Sequence, residues 1–129
     1  MNLNTALRIS SSGLAAQRFR MDVISANIAN ANTMRVGNQD PYRGRDVVLT
    51  GNENGVQVAQ IVQDQRDFRV VIDPSNPNAD AEHKVYYSNV DPLEQMVNMM
   101  SASRAYEANI AAFNSAKGMM KAALSIGKA

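Results

Sequence analysis

The chain has 129 residues, enough for one compact domain or one small domain with long helical ends, and too few for two independent cores. Thirteen basic and twelve acidic side chains leave a formal net charge of +1, spread along the whole length. No field accumulates that would steer a polyanion, so nucleic acid and anionic membrane are poor partners; the absence of cysteine excludes disulfides and thiolate metal sites.

The N-terminus carries no apolar run of the secretory type, because Asn2, Asn4, Thr5, Arg8 and Ser10-Ser11-Ser12 interrupt it. No stretch approaches the roughly 20 apolar residues of a membrane span. The expectation is a protein that stays in the cytoplasm or leaves by a route that reads no such signal.

Residues 1–32 form the first segment, rich in Ala, Leu and Ile and free of proline, and predict an N-terminal assembly helix. With Leu3 as an a position, Leu3, Ser10, Gln17 and Ile24 fall at a, and Leu7, Leu14, Met21 and Ile28 at d. Its exit reads SANIANANT over residues 25–33, where Asn27, Asn30 and Asn32 suit helix ends: they cap orphan backbone groups and tolerate left-handed conformations.

Residues 33–89 change character, with glycines and prolines punctuating short β-branched runs. Strands are predicted over 42–49, 55–63, 67–72 and 84–88, with Gly51-Asn52-Glu53-Asn54-Gly55 as a hairpin loop. Residues 73–82, DPSNPNADAE, read as an exposed loop.

Residues 90–129 predict the C-terminal assembly helix, packed on the first. Asp91 is placed as its N-cap, Pro92 at the first helical position, and Glu94 as the side chain that reaches back to the cap amide. Gly127 is read as the residue that closes it. Met96, Ser103, Ile110, Lys117 and Leu124 fall at a, and Met99, Tyr106, Phe113 and Met120 at d. The fold class is therefore α+β: two long terminal helices in a coiled-coil-like pair around a small β-rich insert. Helices this long leave apolar and small-residue surface (Ala15, Ala16, Ala105, Ala108, Ala111, Ala112) without a partner in the chain, which points to packing between subunits. The helix-packing set is Leu3, Leu7, Leu14, Met21, Ile24, Ile28, Met96, Met99, Tyr106, Ile110, Phe113, Met120 and Leu124.

Catalytic chemistry finds little to stand on. His83 is the single histidine, and the carboxylate pairs Asp64 with Asp67 and Asp80 with Glu82 sit on loop ends, so no catalytic, cofactor or metal residue is assigned. The methionines on the helix seam suit packing better than soft-metal binding. The glycines of 51–55 lack the lysine and following helix of a phosphate loop.

SANIANANT, with Asn27, Ile28, Ala29, Asn30, Asn32 and Thr33 as its signature, resembles the Asn-Ile-Ala-Asn motif of bacterial flagellar rod, hook and hook-associated proteins. Residues 96–109, MVNMMSASRAYEAN, resemble the C-terminal block of the same axial family. SSGLAAQRFRMDVISANIANANT and NVDPLEQMVNMMSASRAYEANIAAFNSAKGMM, with PYRGRDVV between them, are similar to proximal-rod members in particular. Two departures stand out. Met34-Arg35-Val36-Gly37 replaces the Gly-Tyr-Lys-like sequence of hook-type relatives, and Lys84-Val85-Tyr86-Tyr87-Ser88 replaces a Gly-Tyr-Val-like segment. The resemblance implies a structural rod subunit of the basal body, spanning the periplasm and exported unfolded by the flagellar type III apparatus. Its implied partners are other copies, other rod proteins, and ring and export-gate components, with no small-molecule substrate. A coiled-coil adaptor or chaperone would share the heptads but not the β-rich insert, and a cell-wall glycan hydrolase would need two opposed carboxylates in a cleft.

Overall fold

A computed structural model describes residues 2–128. Two helices, α1 (Leu3–Ala29) and α2 (Pro92–Gly127), flank four strands: β1 (Arg45–Asn52), β2 (Gly55–Gln63), β3 (Arg69–Ile72) and β4 (Lys84–Tyr87). This is the α+β arrangement that the sequence predicts, two long helices around a small antiparallel insert. The 27 and 36 residues of the helices correspond to roughly 40 and 54 Å at about 1.5 Å per residue.

Local chemistry starts both helices. The Asn2 side chain accepts from the Thr5 N–H at 2.7 Å, and the Asp91 side chain accepts from the Leu93 N–H at 3.0 Å with Pro92 at the first helical position. Two contacts then fix how the helices run. Asn27 bonds Gln95, and Gly13 faces Asn109 so closely that a Cβ there would lie 2.8 Å from the amide nitrogen. The helices are therefore antiparallel, with the same fourteen-residue spacing between contacts on each.

The facing surfaces are lined by small residues. Ser10, Gly13, Ala16, Ile24 and Asn27 are buried on α1, and Gln95, Ala102 and Ala116 on α2. Small side chains let the backbones approach, which is the condition for the Gly13–Asn109 contact. The buried apolar set is short, namely Ala16, Ile24, Ala31, Val85, Val90, Ala102 and Ala116. Much larger side chains stay in solvent.

β1 and β2 form an antiparallel hairpin closed by Glu53 and Asn54, with Asn52 paired to Gly55. β1 thus runs three residues past the predicted strand end, into the segment read as loop. Between Val48 and Leu49 the register shifts, leaving Ala59 unpaired as a bulge. The hairpin lies along α1. Its base is tied to Asn27 through Arg45, and its tip to Ser12, whose hydroxyl accepts from the Val56 N–H at 2.9 Å. The lengths match: β1 spans about 23 Å at roughly 3.3 Å per residue, and the helix from Ser12 to Asn27 about 22 Å. Gly55 has φ +124, and a Cβ there would collide with the Ser12 hydroxyl, so only glycine fits this crossing.

β3 and β4 form a second antiparallel pair. The chain after α1 lines the other edge of β4: the Arg35 N–H donates to the Tyr86 carbonyl at 2.8 Å, and the Ser88 N–H to the Thr33 carbonyl at 3.0 Å. Residues 73–82 contain no strand or helix but are laced by short-range bonds. Asp80 accepts from the Glu82 and Lys84 N–H groups at 2.9 Å, and Asn78 Nδ2 reaches the Met34 sulfur at 3.3 Å.

Two local readings need correction. Gly127 does not close α2 in a left-handed conformation: it ends the helix in ordinary geometry, Lys128 is the C-cap with φ −87, and the positive-φ glycines are Gly37 and Gly55. Nor do the asparagines of the α1 exit adopt left-handed backbone, because His83, at φ 63, is the only non-glycine residue described that does.

Candidate functional site

Asn27 sits inside the last turns of α1 and is fully buried. Its Nδ2 donates to the Arg45 carbonyl at 2.7 Å and to Gln95 Oε1 at 2.9 Å, while its Oδ1 accepts from the Tyr42 hydroxyl at 2.8 Å and the Arg45 N–H at 3.0 Å. Two donors and two acceptors are the whole capacity of the side chain, so all of it is used. The node joins α1, the start of β1 and the first turn of α2. Capping falls to its neighbour: Asn30 Nδ2 donates to the Ala26 carbonyl at 2.8 Å, and the Thr33 hydroxyl donates to the Asn30 carbonyl at 2.9 Å. Ile28 is half-buried, and Ala29 and Asn32 are exposed.

A second set of bonds ties the strap between the two hairpins, residues 64–68, to α2. Asn89 Oδ1 accepts from the Gly44 N–H at 2.8 Å, and Asn89 Nδ2 donates to the Asp64 and Arg66 carbonyls, both at 3.0 Å. Arg43 donates to the same two carbonyls and stacks on the Phe68 ring at 4.3 Å. Arg66 then bridges Asp64 Oδ2 (2.8 Å from Nε) and Glu94 Oε2 (3.0 Å from Nη1). Glu94 is thereby turned away from the Asp91 amide that the capping-box reading gave it. The hydrogen bond from the Arg66 guanidinium holds the Asp64 carboxyl below the usual carboxylate range, against a smaller opposing effect of burial.

The packing residues predicted from the heptads divide in the structure. Ile24 is buried; Leu3, Leu7, Leu14, Met21 and Ile28 are half-buried. On α2, Met99, Tyr106, Phe113 and Met120 are half-buried, whereas Met96, Ile110 and Leu124 are exposed. The face that α2 turns toward α1 alternates Met99, Tyr106, Phe113 and Met120 with Gln95, Ala102, Asn109 and Ala116. On α2 the frame read from sequence is one residue off at the a positions 96, 103, 110 and 117. The reason is compositional: the true alternate positions hold Gln, Ala and Asn, which carry no apolar signal.

The consequence is an unpartnered outer face. Leu93, Met96, Val97 and Met100 occupy adjacent positions over the first turns of α2, and Leu93 is 70% exposed. Beyond the N-terminus of α1, the antiparallel spacing leaves about two turns of α2 uncovered by the described residues, and Ile126 there is 77% exposed. The strands add Val36, Ile61, Val70 and Ile72. Clusters of large exposed apolar side chains are atypical of a monomer's surface and mark sites of protein contact.

Among the described residues no helix is long and apolar enough to cross a membrane, and no group of three His, Asp or Glu side chains is placed to hold a metal. His83 is exposed at the base of the 73–82 loop. A shallow apolar groove between α1 and β2 is lined by Ser12, Ala15, Ala16, Phe19, Val56, Gln57 and Val58, with no titratable group in it.

Two family models match the ends of the chain. "Flagella basal body rod protein" covers residues 7–35, and "Flagellar basal body rod FlgEFG protein C-terminal" covers 82–126. These segments are the larger part of α1 with its exit, and β4 with nearly all of α2. Relatives match almost end to end: the flagellar basal-body rod protein FlgC of Bacillus subtilis is 44% identical, with 95% of this chain and 97% of the relative covered. That of Salmonella typhimurium is 40% identical over 99% of this chain and all of the relative, and that of Borreliella burgdorferi 38% identical over 98% of both. With its signature asparagine buried at the junction of both terminal helices and its relatives matched over their full length, the chain belongs to the FlgC family, the structural rod proteins of the flagellar basal body.

Proposed function

We propose that this chain is a subunit of the proximal rod, exported by the flagellar type III apparatus, that polymerises through the outer faces of its terminal helices into the wall of the motor drive shaft. Its partners on this reading are other copies, other rod proteins, and ring and export-gate components, and catalysis has no part in it. One observation carries the reading beyond the family assignment: the apolar run Leu93, Met96, Val97 and Met100 faces solvent while α2 keeps its opposite face for α1. A chain that leaves Leu93, Met96, Val97 and Met100 outside and packs alanine and glycine at its closest helix contact is built to be completed by neighbours.

The test is Val97→Asp combined with Met100→Asp. Both positions lie away from α1, so the subunit should accumulate and fold, while basal bodies isolated from these cells should lack a complete rod and the cells should not swim. Normal rods in that strain would refute assembly through this face.

A further inference from the structure

The small-residue lining of the α1–α2 contact raises a question of register. Gly13 faces Asn109 at the point of closest approach, and Ala105 and Ala112 stand one turn to either side on α2. Sliding α2 by a turn would bring a smaller side chain opposite Gly13, so van der Waals packing there does not oppose the slip. The polar node is different. A slip removes Gln95 from Asn27 Nδ2 and places an unrelated side chain in a fully enclosed site whose donors and acceptors are otherwise all paired.

We infer that Asn27, acting through Gln95, is a positioning residue that pins the antiparallel register of α1 against α2, and so sets how far the C-terminal turns of α2 project beyond α1. A buried asparagine at a helix–helix contact is well suited to this, because it selects one alignment at some cost in stability. Arg45 and Tyr42 hold the amide in a single orientation. The amide therefore presents its second N–H to α2 and no other group. This inference concerns alignment within one chain and stands whichever face later joins subunits.

The experiment replaces both partners together, Asn27→Leu with Gln95→Leu, which leaves neither of them as an unpaired polar group although the Arg45 backbone and the Tyr42 hydroxyl lose a partner, and it separates register from stability by comparing native and slipped products within one sample. Register is read in the full-length chain by cysteine pairs oxidised in cells and scored as intramolecular cross-links by gel mobility. Ala6→Cys with Ala116→Cys reports the native alignment, because 6 and 116 lie level when 13 and 109 do. Ala6→Cys with Met119→Cys, and Ala6→Cys with Ala112→Cys, report the slips of about a turn that would set Ala112 or Ala105 opposite Gly13.

With Asn27 and Gln95 intact, the slipped products should stay below about a tenth of the native one; in the double Leu background they should rise to about equal amounts while helix content is retained. Gln95→Leu alone leaves Asn27 its bonds to Arg45 and Tyr42, and should give a smaller rise in the same slipped products. A double Leu chain that still forms only the native cross-link would overturn the proposal. So would loss of all three cross-links in the double variant together with a purely native cross-link in Gln95→Leu, since the node would then stabilise the fold without selecting its register.

Discussion

Asn27 and Gln95, separated by 68 positions in the chain, share a buried hydrogen bond of 2.9 Å that ties the end of the first helix to the start of the last. Everything between them, both hairpins and the strap, is an excursion from that junction. Removing the amide by Asn27→Ala strands the Gln95 carbonyl oxygen, the Arg45 N–H and carbonyl, and the Tyr42 hydroxyl. Each stranded buried group costs on the order of 1–3 kcal/mol. Partial access of water to Arg45 and Tyr42 lowers the total, so the expected destabilisation is about 3 kcal/mol. Thermal unfolding followed by circular dichroism on the purified chain measures it, and a loss below about 1 kcal/mol would show that the node is dispensable.

Phe113 is half-buried on the face of α2 that meets α1, while Lys117, one turn on, is exposed. Phe113→Asp loses ring burial and places a carboxylate against the small-residue contact, with an expected cost of several kcal/mol. Propensity alone changes by well under about 1 kcal/mol, so the helix as such survives. Cells carrying Phe113→Asp should make the chain but not swim, and Lys117→Ala should swim normally. Soft-agar motility with immunoblotting checks both, and normal swimming by Phe113→Asp would contradict the packing assigned to that face.

The Arg66 bridge should make the strap sensitive to acid. Asp64 has its folded pKa lowered from 3.8 by the Arg66 guanidinium, so its contribution is fully present above the unfolded value and is lost as pH falls through the folded one. Arg66→Ala should therefore lower the melting temperature by a constant amount at neutral pH, and the gap should close below roughly pH 4. A difference that persists unchanged at pH 2.5 or so would assign the effect to packing by the arginine stem.

Gln17 Oε1 is buried without a hydrogen-bond partner among the described residues. Replacing it by the near-isosteric Met removes the unpaired oxygen, and Gln17→Met should raise stability by about 1 kcal/mol in the isolated subunit. The same melting experiment decides it. A loss of comparable size would mean that the amide finds a partner in solution.

The sequence by itself determined where the helices begin and that a β-rich insert separates them. Those features are local: Asp91 followed by Pro92 carries its capping geometry within four residues, and Gly55 marks its turn because no other side chain accepts that backbone. The SANIANANT string also points to the family by itself. Which residues alternate with Met99, Tyr106, Phe113 and Met120 on the face of α2 that meets α1 was decided only in three dimensions. The contact is made through Gln95, Ala102, Asn109 and Ala116, and a hydrophobicity pattern is blind to small and amide side chains that pack because they are small or paired. For the same reason Asn27 read as a cap and Glu94 as the second half of a capping box. A polar side chain's partner is set by which groups tertiary packing brings within 3 Å or so, and Arg45, Gln95 and Arg66 reach these residues only when both hairpins have folded back between the helices.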